Sequence, residues 1–146
     1  MRLQLALNVP DIDAAVAYYS KLFGAEPHKR RDGYANFALD EPALKLVLFE
    51  NPAADAQLNH IGVEVMLDEE LEAATRRLDT AGILDATEAA SGCCHAVQDK
   101  IWSRAHNGLR WEWYRVAEDN TNPADDQLGK TCCTGEQMTD NIGACG

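Results

Sequence analysis

The first third of the chain shows two kinds of hydrophobic periodicity, one after the other. Residues 3–9 alternate between apolar and polar side chains, which is the pattern of a strand with one buried face. A helical pattern follows over residues 12–23, with Asp11 placed as its N-cap and Gly24 as its C-terminal stop. Three strands are predicted after this helix, a short one and two longer ones: residues 26–30, 34–39 and 44–49.

The same succession begins again at residue 60. Residues 60–65 alternate with three branched apolar residues on one side, and a helix is predicted over 68–78, closed by Gly82. The dipeptide Asn107-Gly108 is a strong signal for a tight hairpin. The strands predicted after the second helix are residues 85–89, 95–102 and 109–116.

Each half therefore has the order β-α-β-β-β, and one repeated module accounts for both halves. We predict an α+β protein with one folded domain over residues 1–117. Its parts are a first module at 1–50, a linker at 51–57 and a second module at 58–117.

Residues 118–146 differ from the rest of the chain. They contain no aromatic residue, few large apolar residues, and six acidic residues against one lysine. Such a segment cannot bury enough apolar surface to offset its conformational entropy. We expect a largely disordered acidic tail that carries Cys132, Cys133 and Cys145. Their thiols either collect a soft metal and pass it to the folded domain or have no role.

Composition narrows the class of protein further. The chain has 146 residues, of which 46% are hydrophobic and 25% charged, as in ordinary globular proteins. A net charge of −11 argues against nucleic acid or an anionic membrane as a partner. The sequence shows neither an apolar run long enough to span a bilayer nor a signal-peptide pattern, so we expect a cytoplasmic protein. Its five cysteines, an odd number with none before residue 93, are expected to be free thiols.

Three side chains that can bind a metal occur at corresponding places in the two modules. Aligning the first strands puts Gln4 opposite His60, and aligning the last strands puts Val47 opposite Glu112. Gln4, His60 and Glu112 each fall on the face of their strand that points away from the core. An imidazole, a carboxylate and an amide oxygen suit Fe(II), Mn(II), Ni(II) or Co(II), and the aliphatic fourth position leaves room for water, oxygen or substrate.

Each of these residues also has a simpler explanation on its own. Gln4 could be a solvated strand residue, His60 a hydrogen-bonded core histidine, and Glu112 a carboxylate facing water. Their joint occurrence at symmetric positions favours a metal site.

The adjacent cysteines Cys93 and Cys94 form the second chemical feature. Two neighbouring thiols can chelate a soft centre such as trivalent arsenic, because once one sulfur has bound the arsenic the second sulfur is held close to it. The alternatives are two small buried residues or a vicinal disulfide, whereas a structural zinc site lacks the Cys-x-x-Cys spacing. His95 beside the pair is an extra ligand, a proton shuttle or, by default, a strand residue with a satisfied hydrogen bond.

These motifs resemble the vicinal oxygen chelate superfamily, and within it the family of cadmium-induced proteins and C–As lyases. The resemblance covers residues 2–116, and the matching stretches include LQLALNVPD at 3–11, LNHIGVEV at 58–65, CCHAVQDKIW at 93–102 and WEWY at 111–114. It implies the vicinal oxygen chelate fold, in which two βαβββ modules form an open barrel around one metal. The sequence departs from the family pattern at His95, where an aromatic residue is usual, and in the hairpin at 105–108, where paired glycines are usual.

The resemblance also implies a function. It assigns Fe(II) binding to Gln4, His60 and Glu112, and binding of a trivalent organoarsenical to Cys93 and Cys94. The implied reaction is an oxygen-dependent cleavage of the carbon–arsenic bond of methylarsenite or an aromatic arsenical, in a monomer or a homodimer. The competing functions are sequestration of cadmium or arsenite without turnover, and a glyoxalase-like isomerase or thiol transferase that needs no oxygen. A bleomycin-binding protein would not be expected to carry the metal-binding triad.

Overall fold

A computed structural model describes the backbone of residues 1–93 and 96–119 and the side chains of residues 1–89 and 97–117. The first module has the predicted order of elements. They are β1 (Arg2–Val9), α1 (Ile12–Phe23), β2 (Lys29–Arg31), β3 (Tyr34–Leu39) and β4 (Leu44–Glu50).

The ends of α1 are set by the two predicted residues. The Asp11 side chain accepts a hydrogen bond from the Ala14 amide at 2.9 Å, and Gly24 takes the left-handed conformation with φ 61°.

The second module repeats this order after the linker. Its elements are β5 (Leu58–Val65), α2 (Asp68–Thr80), β6 (Ala86–Cys93), β7 (Ala96–Arg104) and β8 (Arg110–Asp119). In the part of the chain that the structure describes, no helix is long and apolar enough to cross a membrane.

All eight strands form one open sheet in the order β2-β3-β4-β1-β5-β8-β7-β6. The first strands of the two modules, β1 and β5, lie antiparallel at its centre. Each is flanked by the last strand of its own module, which runs parallel to it. In the β1–β5 register Gln4 faces Gly62 and Ala6 faces His60, as a twofold relation between the modules requires.

The two faces of the sheet have different roles. On one face each helix covers an apolar cluster, which includes Val16, Phe37 and Leu48 under α1 and Val65, Leu78 and Ile101 under α2. This agrees with the predicted alternation, because Leu5, Leu7 and Val9 of β1 and Val63 and Val65 of β5 belong to these clusters. The polar residues of the same strands therefore share the other, concave face.

Two strands extend clearly beyond their predicted ends. β6 continues to Cys93 rather than ending near residue 89, and β8 continues to Asp119, two residues beyond the predicted end of the domain. In both places β7 supplies backbone partners, since Cys93 pairs with Ala96 and Ala96 with Asp119. Backbone pairing does not depend on the alternation of side chains, so periodicity does not reveal these ends. The remainder of the predicted tail lies outside the described residues.

Candidate metal centre

The three predicted metal ligands meet on the concave face. Gln4 Nε2 lies 3.1 Å from His60 Nε2 and 3.0 Å from Glu112 Oε2, and His60 Nε2 lies 3.1 Å from the same carboxylate oxygen. They come from the neighbouring strands β1, β5 and β8 at the centre of the sheet. All three side chains are buried. Residues up to 108 positions apart in sequence therefore converge on one point.

Gly62 makes room for this arrangement. It lies between two of the ligands in the sheet, paired with Gln4 on β1 and with Glu112 on β8. A Cβ atom at position 62 would lie 3.0 Å from Gln4 Nε2 and 3.2 Å from Gln4 Cβ. The Gln4 side chain thus occupies the space that any larger residue at 62 would fill.

A chain of amides orients His60. Asn8 Nδ2 donates to the Ala56 carbonyl at 2.9 Å, Asn59 Nδ2 donates to Asn8 Oδ1 at 3.0 Å, and Asn59 Oδ1 lies 2.8 Å from His60 Nδ1. Because a carbonyl can only accept, the first bond fixes both asparagines, and His60 Nδ1 must be the donor to Asn59. A neutral His60 then carries its lone pair on Nε2, the nitrogen that faces the other two ligands.

This tautomer indicates that a cation fits the site. With the proton on Nδ1, His60 Nε2 and Glu112 Oε2 are two acceptors at 3.1 Å, and a positive charge between them removes their repulsion. Ligands about 2.1 Å from an octahedral ion lie about 3 Å from one another, which matches the spacing observed here. Among the described residues, no three His, Cys, Asp or Glu side chains form a metal-binding cluster, so a cation held by His60 and Glu112 would need the Gln4 amide as its third ligand.

Tyr114 holds the other end of the Gln4 amide. Its hydroxyl donates to Gln4 Oε1 at 2.7 Å. A phenol hydroxyl can also accept, so the amide can present its oxygen to a cation without leaving its nitrogen unpaired. Burial and the nearby carboxylates Glu64 and Glu112 raise the pKa of Tyr114 far above its ordinary value, so the hydroxyl keeps its proton.

Lys100 supplies the charge that balances Glu112. Its Nζ lies 3.2 Å from Glu112 Oε1, and it is only 3% exposed. Burial alone would raise the pKa of the Glu112 carboxyl, but its contact with the His60 ring and the charge of Lys100 outweigh burial, so the pKa lies below its ordinary value. The carboxylate is therefore ionised at neutral pH.

The remaining predicted residues are placed less completely. Val47, at the symmetric fourth position, is buried in an apolar cluster with Ala6, Tyr34 and Phe49 and offers no group that could bind a metal.

Cys93 is the last residue of β6 and pairs with Ala96 on β7. Trp102 lies six residues further along β7 and pairs with Glu112 on β8. Six extended residues span about 20 Å. Cys94 and His95 lie outside the described residues, so thiol binding of a substrate stays a prediction.

Sequence reasoning assigned no role to Gly62, Asn59, Lys100 or Tyr114. All four stood in stretches that were quoted for the resemblance, LNHIGVEV, CCHAVQDKIW and WEWY. Lys100 and Tyr114 alternate with core residues along their strands. Period-two spacing therefore places both side chains on the face that carries the candidate ligands.

Comparisons with known proteins identify the family and the fold of the chain. The family model of the glyoxalase/bleomycin resistance protein/dioxygenase superfamily matches residues 3–113. The chain is 48% identical over 136 residues to a trivalent organoarsenical cleaving enzyme of Thermomonospora curvata, covering 91% of this chain and 88% of that protein. It is 46% identical over 143 residues to the cadmium-induced protein CadI of Mycobacterium tuberculosis, covering 92% and 94%.

A solved structure shows the same fold at lower identity. The Mn(II)-bound glyoxalase of Novosphingobium aromaticivorans superposes with a TM-score of 0.60 at 22% identity, covering 82% of this chain and 40% of that one. The chain belongs to the glyoxalase/bleomycin resistance protein/dioxygenase superfamily, and within it to the family of cadmium-induced proteins and trivalent organoarsenical cleaving enzymes. The predicted family and fold are thereby confirmed.

Proposed function

We propose that this protein is an enzyme that cleaves the carbon–arsenic bond of trivalent organoarsenicals, with Fe(II) bound by Gln4, His60 and Glu112. The observation that carries the proposal is the convergence of these three side chains at 3.0–3.1 Å. The 48% identity to a relative named for organoarsenical cleavage supports the choice of substrate.

The chain's own residues would prepare the site for iron. Glu112 is the anionic ligand, and its second oxygen is held by Lys100. The Asn8–Asn59 chain keeps the lone pair of His60 turned inward. Such outer partners orient ligands and strengthen metal binding. When bound, Fe(II) supplies the reactivity with molecular oxygen that these side chains lack.

We assign substrate capture to the thiols of Cys93 and Cys94. Both sulfurs on one arsenic would fix the substrate and limit the positions of its organic group, which lowers the entropic part of the barrier. Binding by thiols is expected to withstand loss of the metal, since the two sets of residues are separate in the sequence.

The proposed reaction is balanced. One molecule of methylarsenite, CH3As(OH)2, and one of O2 contain the atoms of one arsenous acid, As(OH)3, and one formaldehyde. The carbon–arsenic bond breaks, the carbon is oxidised to the aldehyde level, and oxygen takes up the four electrons. Arsenic stays trivalent, so the reaction needs no other reductant.

The test is to load metal-free protein with Fe(II) under anaerobic conditions, add methylarsenite, and follow arsenite and formaldehyde with and without oxygen. We expect equal amounts of both products, and only when iron and oxygen are both present. Glu112→Gln should abolish release, whereas Glu72→Gln, at an exposed glutamate of α2, should retain it. Stoichiometric binding without product would instead indicate sequestration, and product without oxygen a glyoxalase-like reaction.

A further inference from the structure

Trp102 lies against the candidate metal centre. Its ring meets the ring of His60 edge-on, with a centroid separation of 5.3 Å and an interplanar angle of 78°. In the sheet it pairs with Glu112, a second candidate ligand. The residue is only 7% exposed. An indole, which is readily oxidised, is therefore held beside two of the three side chains that would bind iron.

The other two tryptophans of the chain are placed differently. Trp111 and Trp113 alternate with Glu112 along β8, so their side chains point to the opposite face of the sheet. On that face both line a pocket beside α2, and Trp113 packs against the apolar cluster under this helix. The sheet separates both rings from the metal centre, so they serve as internal controls for Trp102.

Glu88 gives the Trp102 indole a proton acceptor. Trp102 Nε1 donates to Glu88 Oε1 at 2.8 Å. An indole N–H becomes much more acidic when the ring loses an electron, and a carboxylate in hydrogen-bond contact is a base that can take the proton. Trp102 can therefore lose an electron and a proton together.

Two cations make the loss of the proton necessary. The Arg110 guanidinium carbon lies 4.1 Å from the centre of the Trp102 ring, and Lys100 Nζ lies 5.9 Å from it. Both cations are attracted to the electron-rich neutral ring and would oppose a positive charge on it. Oxidation of Trp102 is therefore favourable only if the ring stays neutral, which requires its proton to pass to Glu88.

Tyr114 also reaches the metal centre, but its proton has a poorer acceptor. Its hydroxyl donates to the amide oxygen of Gln4 at 2.7 Å. An amide oxygen is a much weaker base than a carboxylate, so it does not take up the phenol proton. A phenol that keeps its proton resists the loss of an electron. Trp102 rather than Tyr114 is therefore the side chain placed to be oxidised.

We propose that Trp102 is an oxidative modification site, converted to N-formylkynurenine when the Fe(II) protein meets oxygen without an arsenical, with Glu88 as the proton acceptor. One O2 adds to one indole, the double bond of the pyrrole ring breaks, and each of its two carbons receives one oxygen atom. The ring gives up four electrons, which oxygen takes up, and the proton on Glu88 returns to the nitrogen. No other reductant is needed. The inference rests on the iron and oxygen chemistry of the proposed function.

The test follows the mass of the protein rather than its turnover. Metal-free protein is loaded with Fe(II) under anaerobic conditions, exposed to oxygen-18 gas without arsenical, and digested with trypsin. Cleavage after lysine and arginine leaves Trp102 in residues 101–104 and the other two tryptophans in residues 111–115. By mass spectrometry we expect one added O2, labelled from the gas, on the first peptide and none on the second. Protein without iron, or with methylarsenite bound before oxygen is admitted, should stay unlabelled.

Variants test the surroundings of the ring. Glu88→Gln keeps a hydrogen-bond acceptor but removes the base, and it should lower the labelling of Trp102 at least about tenfold, because a positioned base contributes about 10²–10⁴-fold. Arg110→Leu removes one opposing cation and should increase the labelling. Glu72→Gln, at an exposed glutamate of α2, should leave it unchanged. Equal labelling in Glu88→Gln and the unmodified protein would overturn the inference.

The remaining outcomes separate this inference from the proposed function. Label spread equally over the three tryptophans would indicate an oxidant that diffuses through solution, and it would overturn the inference. Arsenite release that depends on iron and oxygen, without label on Trp102 in the substrate-free protein, would refute this inference alone. Label on Trp102 without arsenite release from methylarsenite would refute the proposed cleavage alone. Absence of both would refute both.

Discussion

Tyr114 donates its hydroxyl hydrogen to the amide oxygen of Gln4 at 2.7 Å, although 110 positions separate the two residues in the chain. The bond fixes an amide that would otherwise rotate about its last torsion angle. Tyr114 lies on β8, the strand that also carries Glu112, so one strand provides one candidate ligand and supports another.

Tyr114→Phe should therefore weaken metal binding without removing a ligand. We expect about a tenfold loss of Fe(II) affinity, because an outer partner of a ligand is lost. The unpaired amide oxygen should also lower the free energy of unfolding by about 1–2 kcal/mol. Anaerobic calorimetry and urea denaturation measure the two effects. Tyr18→Phe, at an exposed tyrosine of α1, is the control, and equal affinities in the two variants would contradict the proposed support.

The amide chain behind His60 gives a second prediction. Asn59→Leu removes the acceptor for His60 Nδ1, so the imidazole is free to place its proton on Nε2 and face the metal with no lone pair. We expect at least a tenfold loss of Fe(II) affinity. Asn59→Asp keeps an acceptor and should bind metal nearly normally. Nitrogen-15 NMR of the imidazole should show the Nδ1-protonated form in the unmodified protein and in Asn59→Asp. In Asn59→Leu it should show a mixture of the two tautomers.

The main outlines of this fold follow from the sequence because they depend on local spacing. Alternation in residues 3–9 and 60–65 identifies the strands and their buried faces, and Asp11 and Gly24 mark the helix ends. The triad could also be predicted, because a repeat places equivalent residues at equivalent depths in the sheet. Gln4 and His60 correspond in the two modules, and this correspondence needs no knowledge of which strands pair.

The supporting residues could not be predicted in the same way. Gly62 matters because it lies between Gln4 and Glu112, and that position depends on the register of three strands. Lys100 reaches Glu112 only because β7 pairs with β8. Pairing and register are tertiary properties, and no periodicity in one segment of sequence records them.

Gly62→Ala tests the packing around Gln4. The new Cβ would lie 3.0–3.4 Å from three atoms of the Gln4 side chain, including its Cβ, which cannot move without the backbone. We expect a loss of about 1–2 kcal/mol in unfolding free energy and a displaced amide with weaker Fe(II) binding. In a protein that also carries Gln4→Ala, the same substitution should lower the unfolding free energy much less, because the Gln4 side chain that it would crowd is absent. A cycle of four proteins measured by urea denaturation gives the coupling energy. Additive effects would show that residue 62 and Gln4 do not compete for space.

Glu64→Gln tests the buried ion pairs of Glu64 with Arg2 and Lys45, through the pH dependence of protein stability. Burial raises the pKa of the Glu64 carboxyl, but the charges and hydrogen bonds of Lys45 and Arg2 outweigh it, so the folded pKa lies below 4.5. The folded state thus favours the ionised form, and its stabilisation is complete above the unfolded pKa and is lost as the pH falls through the folded value.

At pH 7 the unmodified protein should therefore be more stable than Glu64→Gln by about 1.5–3 kcal/mol, the range for charged hydrogen bonds. The difference should shrink as the pH falls below about 4.5, since both proteins then carry a neutral side chain at position 64. Urea denaturation at a series of pH values between 7 and 3 measures it, with Glu72→Gln as the exposed control. A difference that stays constant over this range would mean that the carboxylate charge contributes nothing, and that Arg2 and Lys45 are held equally well by a neutral amide.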